Sequence, residues 1–171
     1  MIKTERLELI PLSTIYSKDL YSIWSNEEIL KYTHATKVNN KFECDARTNL
    51  WVKEYTDKKN PNNFVVLLNK KVIGVIGYPI ISKEERKFGL YYQFLKEYWG
   101  QGYATEATGA VIDNIKDIYK EAIVYADAVM ENKASNKLLK KFLYEEVSIE
   151  REGFIKGNIK LDIIHYRKKL K

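Results

Sequence analysis

Cysteine is almost missing from this chain. Cys44 is the only one in 171 residues, so an internal disulfide is excluded. It shares an amphipathic stretch with Thr48, Trp51 and Tyr55 at i+4, i+7 and i+11, which makes it a packed thiol rather than a nucleophile. Histidine is nearly as scarce. His34 and His165 stand far apart in no metal-binding spacing, and no metal is expected. No run approaches the roughly 18–20 apolar residues of a membrane helix. The opening Met1-Ile2-Lys3-Thr4-Glu5-Arg6 lacks the apolar core of a signal peptide. Together with the lone thiol this gives a cytoplasmic expectation, with no membrane partner. Repeats, low-complexity tracts and linkers are also lacking, so residues 1–171 read as one domain. What remains is 45% hydrophobic and 30% charged, the balance of a folded globular chain with its own core.

Charge is unevenly spread. Residues 131–171 hold 11 Lys/Arg against 6 Asp/Glu, whereas residues 1–130 hold 18 against 17. A basic half attracts nucleic acid, a ribosome or a phosphate-bearing small ligand. No RNA-binding signature accompanies it, so direct contact with nucleic acid is not expected. The thirteen tyrosines belong to a general bias toward Ile, Lys, Asn and Tyr and carry no stacking argument.

Residues 5–11 alternate as an edge-type strand, and 14–32 carry Leu20, Ile23, Trp24, Ile29 and Leu30 in one or two short helices. A polar loop over 33–41 leads to a helix over 43–57. The loop's only apolar side chains are Ala35 and Val38, and it is expected at the surface and mobile. The runs 64–68 and 72–78, joined by Asn69-Lys70-Lys71, predict a buried hairpin. Gly74 and Gly77 mark a close approach or a bulge in it. A strand over 86–95, a helix over 103–119, a strand over 122–130, a helix over 133–144 and strands near 146–152 and 160–169 complete the order. The strands flanking the long helix should be parallel neighbours joined by a right-handed crossover. The result is a mixed α/β sheet with its ligand at the carboxyl end of those strands.

The most informative stretch is Tyr98-Trp99-Gly100-Gln101-Gly102-Tyr103-Ala104-Thr105-Glu106-Ala107. It stands where a strand becomes a segment of helical period, with Ala107, Ala110, Val111, Asn114, Ile115 and Ile118 at i, i+3, i+4, i+7, i+8 and i+11. The first amides of such a helix are unpaired and the helix dipole makes them a seat for phosphate. An ordinary strand-to-helix turn has the same spacing. A Walker loop is absent, and Gly100-x-Gly102-x-x-Thr105 misses the third glycine of a dinucleotide fingerprint.

These residues resemble motif A of the GNAT N-acetyltransferase superfamily, closest to its RimJ/RimL-type ribosomal-protein N-terminal acetyltransferase branch. The pattern Arg/Gln-x-x-Gly-x-Gly/Ala is met at Gly102 and Ala104, with Trp99 at the first position. Residues 131–144 are similar to a second family segment, Asn-x-x-Ser-x-x-x-x-Glu-Lys-Leu-Gly-Phe. Asn132 and Ser135 match it; Lys140, Phe142, Leu143 and Tyr144 depart from it. Thr4-Glu5-Arg6-Leu7-Glu8-Leu9-Ile10-Pro11-Leu12 resembles the branch's first strand.

The resemblance implies a single-domain GNAT-like fold, a mostly antiparallel sheet with a central splayed parallel pair and flanking helices. It implies acetyl-coenzyme A as cosubstrate and direct attack by a primary amine in a ternary complex. Gly100, Gln101, Gly102, Tyr103, Ala104 and Thr105 would hold the pyrophosphate. Tyr92, Gln93, Phe94 and Leu95 would hold the pantetheine and polarise the carbonyl. Asn132 would bond to the pantetheine, although Asn is also a good helix cap. Ser135, one turn along the same face, would reach the sulfur and donate or relay a proton. The superfamily's frequent tyrosine acid would fall at Leu139, so a tyrosine at that position is excluded. His34, in the loop beside the acceptor mouth, is the candidate base; a water chain is the alternative. The acceptor is left open among a protein amino terminus, a polyamine, an amino acid and an amino-sugar drug. The basic charge balance disfavours the polycations. Monomer and homodimer are both open. The rival reading is a non-catalytic acyl-coenzyme A-binding sensor or scaffold.

Overall fold

The computed structural model of the chain describes residues 1–142 and 144–171; the departure at Leu143 lies outside them. Strands β1 (Ile2–Lys3), β2 (Leu7–Pro11), β3 (Asn63–Leu68), β4 (Lys71–Gly77) and β7 (Tyr91–Phe94) form an antiparallel sheet in the order β1-β2-β3-β4-β7. Leu7 and Leu9 of β2 are buried while Glu8 between them is exposed, the alternation of a strand with one covered face. The hairpin β3–β4 is buried along nearly its whole length because helices cover both of its faces. Asn69 and Lys70 turn it with positive φ angles of 49° and 66°. Gly74 fulfils both readings of its position: a Cβ there would stand 2.6 Å from the Phe94 ring, and the β3–β4 register shifts beside its partner Val66.

Helices α1 (Ser17–Trp24) and α2 (Lys41–Leu50) cover one face of this sheet. Asn40 caps α2 by accepting from the Glu43 amide at 2.9 Å, while the Glu43 carboxylate accepts from the Asn39 amide at 2.7 Å. A π-helical turn, Trp51–Tyr55, extends α2 and carries Trp51 toward the sheet edge. Cys44 is fully buried, its thiol bonded to the Ser17 carbonyl and pushed up by burial. Helix α3 (Tyr103–Tyr119) covers the opposite face, burying Ala107, Val111 and Ile115 as its period requires.

A second sheet runs β5-β6-β8-β10-β9, from β5 (Ile80–Ser82), β6 (Lys87–Phe88), β8 (Ala122–Val129), β10 (Ile159–Leu170) and β9 (Glu145–Lys156), with α4 (Lys133–Lys141) leading from β8 into the last hairpin. The expected strand over 86–95 is two strands in different sheets. β6 pairs in parallel with β8, Lys87 opposite Ile123 and Phe88 opposite Val124. After Gly89 and Leu90, β7 instead pairs with β4, while β8 continues alongside β10. One strand cannot serve two diverging partners, so the chain breaks and the sheets part between β7 and β8. Strand β5 was not foreseen. No helix among the described residues is long and apolar enough to cross a membrane.

Candidate active site

The segment from Trp99 to Thr105 forms a tight loop against the first turn of α3. Gly102 is the helix cap residue at φ 84°, and Gly100 has φ 72°, left-handed angles that favour glycine. No side chain caps this helix, and the first helical bond runs from the Glu106 amide to the Gly102 carbonyl at 3.0 Å. The amides of Tyr103, Ala104 and Thr105 therefore lie ahead of the helical ladder and face out of its end. Arg6 fixes the loop. Its guanidinium donates to the Glu106 carboxylate at 2.7 Å and to the Gln101 carbonyl at 3.1 Å, and stacks over Tyr103. Burial works to raise the Glu106 pKa, but bonds from Thr4 and Arg6 outweigh it and hold the carboxyl below its usual range.

Where the sheets part, a cleft of about 290 Å3 opens, lined by Leu90–Gln93 on one wall and Ala126–Ala128, Asn132, Ser135 and Leu139 on the other. β7 ends its sheet, so its outer edge has no partner strand. The Leu95 amide donates inward to the Ile73 carbonyl at 2.9 Å. Antiparallel alternation then turns the main chain of Tyr92 and Phe94 toward the cleft and that of Gln93 toward β4. The Phe94 carbonyl is already taken by the Trp99 indole at 2.8 Å. Of the four residues expected to grip an extended ligand through main-chain amides, only Tyr92 and Phe94 present them outward.

Side chains of β7 alternate across the sheet. Tyr92 points to α4, where its hydroxyl lies 2.6 Å from the Ser135 hydroxyl. Asn132 caps α4, its side chain accepting from the Ser135 amide at 3.2 Å, so the capping role is realised. Asn136, passed over in the sequence, is buried and donates to the carbonyls of Val129 and Asn132 while accepting from Tyr166 at 2.6 Å. It holds the β8–α4 connection and hence the position of Ser135. Burial pushes the Tyr92 phenol up to about 12. Leu139 lies on the cleft wall as expected, offering no proton, and the tyrosine that does reach Ser135 comes from β7 instead.

Gln93 points the other way, accepting from the Trp24 indole at 3.0 Å. On that side a second cavity of about 280 Å3 adjoins the cleft, lined by Trp24, His34, Ala35, Thr36, Arg47, Trp51 and Gln93. His34, Ala35, Trp51 and Gln93 border both spaces. His34 is exposed and packs on Phe154 with ring centroids 5.0 Å apart. Its loop is tied at both ends: Val38 is buried and its amide bonds to the Trp24 carbonyl, and Lys156 donates to the Leu30 carbonyl at 2.7 Å. In the sequence Trp24 and Trp51 are apolar positions of amphipathic segments, and Arg47 carries no motif. Asp127, on the cleft wall, bonds to His165 at 2.7 Å, and His165 also contacts Glu150. No cluster of metal ligands occurs among the described residues.

A family model described as an acetyltransferase (GNAT) domain matches residues 6–142. This chain belongs to the GNAT acetyltransferase family. Its members use acetyl-coenzyme A, and the chain is an acetyl-coenzyme A-dependent N-acetyltransferase. The uncharacterized N-acetyltransferase YoaA of Bacillus subtilis is 21% identical over 153 residues, which span 89% of this chain and 86% of the relative. The solved structure of RimL, the ribosomal L7/L12 alpha-N-protein acetyltransferase in complex with coenzyme A, is similar with a TM-score of 0.85 at 13% identity, covering 98% of this chain and 96% of that one. Spermidine N-acetyltransferase from Vibrio cholerae, in complex with coenzyme A and spermine, also has a TM-score of 0.85, at 18% identity and with coverages of 97% and 96%. Acetyl-transfer neighbours of this fold thus act on acceptors as different as a protein terminus and a polyamine, and the fold alone does not choose between them.

Proposed function

We propose that this GNAT enzyme, a member of the RimJ/RimL-type branch, acetylates a primary amine in the cleft between β7 and β8, with acetyl-coenzyme A laid along the open edge of β7. The observation that carries this is the hydroxyl pair Tyr92–Ser135, set 2.6 Å apart beside a strand edge with no partner. The residues fit the cosubstrate. The uncapped end of α3, with glycines at left-handed angles, offers amides to a pyrophosphate. The outward main chain of Tyr92 and Phe94 can pair with the amides of an extended pantetheine arm as an added strand would.

When bound, acetyl-coenzyme A supplies the acetyl thioester and departs as the thiol. The chain's own groups do the rest. The β7 amides orient the carbonyl and stabilise the negative charge that develops on its oxygen. Ser135 donates a proton toward the sulfur as the Tyr92 phenol, kept in its protonated form beforehand because burial lifts its pKa to about 12, passes its own proton to Ser135; the pair is reprotonated from solvent once the thiol has left. Cys44 is buried in the other core, so no thiol is at hand for a covalent acyl-enzyme and the amine attacks directly. His34, at the junction of the two cavities, borders the path of the incoming amine, whose proton leaves either to His34 or to a chain of water.

Incubating the protein with acetyl-coenzyme A and a panel of amines, followed by free-thiol release, tests this reading. Release that depends on an added amine is expected. Tight coenzyme A binding with no release for any amine would leave a sensor or scaffold module in its place.

A further inference from the structure

Resting on the acetyl-transfer reading above, the geometry points to an acceptor of a definite class: a small primary amine that also carries an oxyacid anion, carboxylate or phosphate, held by Arg47 in the cavity beside Trp24 and Trp51 while its amine reaches the β7–β8 cleft.

Arg47 lies on the inner side of α2, half-buried, and lines the second cavity. Its guanidinium packs over the Trp24 ring, 5.4 Å from the centroid. One nitrogen, Nη2, donates to the Thr36 carbonyl at 2.6 Å and to the Thr36 hydroxyl at 3.1 Å. Its other donors bond to no side chain or carbonyl among the described residues, and no carboxylate there lies within ion-pair distance. The acidic neighbours are committed elsewhere. Glu43, one turn back on α2, accepts from the Asn39 amide at 2.7 Å, and Asp45 accepts from the Ser17 hydroxyl. An arginine losing solvent without gaining a carboxylate costs stability, and burial does pull its pKa down. The planar guanidinium with free donors suits an oxyacid, which it can bind through two parallel bonds.

The remaining lining selects size and kind. Trp24 and Trp51 give an apolar floor, their ring centroids 5.7 Å apart. The Gln93 side chain spends its oxygen on the Trp24 indole, which leaves its amide hydrogens free to donate. No carboxylate lines this cavity, so no ion pair there would hold the second ammonium of a polyamine. A space of about 280 Å3 suits an amino-acid-sized molecule. Gln93 and Trp51 border both cavities, so a short acceptor anchored at Arg47 enters the cleft directly.

The test pairs acceptors that differ only in the anion: tyrosine with tyramine, and O-phosphoethanolamine with ethanolamine, with spermidine as a polycation. Thiol release is read for the wild type, for Arg47→Met, which keeps the stem on Trp24, and for Arg47→Lys. The wild type should prefer the anionic member of at least one pair by roughly ten- to a hundredfold in kcat/KM, the worth of a charge-assisted bond. The favoured pair tells carboxylate from phosphate. Arg47→Met should collapse that ratio toward one through a raised KM. It should leave the rate of the partner lacking the anion, and acetyl-coenzyme A affinity, within a few-fold, and Arg47→Lys should restore part of the ratio. A merely structural Arg47 would depress both members of a pair alike and keep the ratio, which overturns the inference. Equal or better turnover of tyramine, ethanolamine or spermidine by the wild type overturns it too, with acetyl transfer intact. Absence of turnover with every amine overturns both readings.

Discussion

The two sides of the cleft are made of different material. On the α3–α4 side the proposed cofactor contacts are main-chain amides and small side chains: the Gly100–Thr105 loop, the outward amides of Tyr92 and Phe94, and Ser135 on its capped helix. On the α1–α2 side the cavity is walled by long side chains: Trp24 and Arg47 on α-helices, Trp51 on the π-helical turn and His34 on a tethered loop. Main chain recognises what never varies, the pyrophosphate and pantetheine of one cosubstrate. Side chains recognise what differs from enzyme to enzyme, so on the proposed reading the second wall sets acceptor choice. β7 is the partition: Tyr92 belongs to one side and Gln93, next in the chain, to the other.

If that division holds, mutations on the first wall should alter turnover or cofactor affinity whatever the acceptor. The largest effect is expected at the hydroxyl pair. Ser135→Ala and Tyr92→Phe should each lower kcat by about 10²-fold, the low end for one assisted proton transfer, because thiolates leave fairly well unaided. Since the two hydroxyls act as one relay, the double variant should be no slower than either single one. Coenzyme A affinity by calorimetry should stay near that of the wild type. A rate equal to wild type in Ser135→Ala would reduce the serine to a helix residue, and additive losses would break the relay.

Next in size is Gly102→Val. At φ 84° a β-branched residue is strained by about 1–3 kcal/mol, and its side chain would stand over the amides offered to phosphate. Its Cβ would make only an ordinary contact with the Arg6 guanidinium, at 3.4 Å, so the backbone angle and the side chain over the amides carry the effect. Coenzyme A should bind at least about tenfold more weakly, with thermal unfolding still cooperative. Undiminished affinity in calorimetric titration would remove the pyrophosphate from this loop.

The same division explains what could be read without coordinates. The loop proposed to hold phosphate is legible because glycine at a strand-to-helix junction is a backbone requirement, visible at fixed spacing: Gly102 and the 103–119 helix stand where the pattern puts them. The apolar periods of β3, β4 and α3 are likewise local facts. The break between Phe88 and Tyr91 was not legible. Phe88, Leu90, Tyr91 and Phe94 form one apolar run, and only the competing ladders of β4 and β8 divide it. Nor was the meeting of Tyr92 with Ser135, 43 residues apart, which depends on the face that β7 turns to α4. Arg47 and Trp51 carry no motif at all. Their role appears only when α2 and its π-helical turn are folded against β7, and their residue types fit an ordinary amphipathic helix equally well.

A smaller effect is expected at His34, on the second wall. His34→Ala should raise the KM of a verified acceptor a few-fold while acetyl-coenzyme A affinity is unchanged, because the ring borders both cavities and packs on Phe154. Should His34 instead take the amine's proton, the loss would fall on kcat. It would shrink as the pH rises, since solvent then deprotonates the amine unaided. Wild-type kinetics at every pH would remove His34 from the site, and an effect on cofactor binding would blur the two walls.

The smallest effect concerns Asp127, which lines the cleft but is bound to His165, itself in contact with Glu150. The Asp127 carboxylate, chiefly through its hydrogen bond, and then Glu150 hold the His165 imidazolium above its ordinary pKa. A raised folded-state pKa means the cluster's stabilisation is fully present below the unfolded histidine value, about 6.5, and is lost as pH rises through the folded one. His165→Gln should therefore lower Tm by a degree or two near pH 6, roughly the worth of a half-exposed pair, and by nothing measurable near pH 9. Its acceptor KM should not change, because Asp127 remains on the wall without its partner. A Tm gap that stays constant across that range would mean the imidazole is not protonated in the folded protein. An altered KM would make this rim part of acceptor recognition and carry that function onto the wall opposite Arg47.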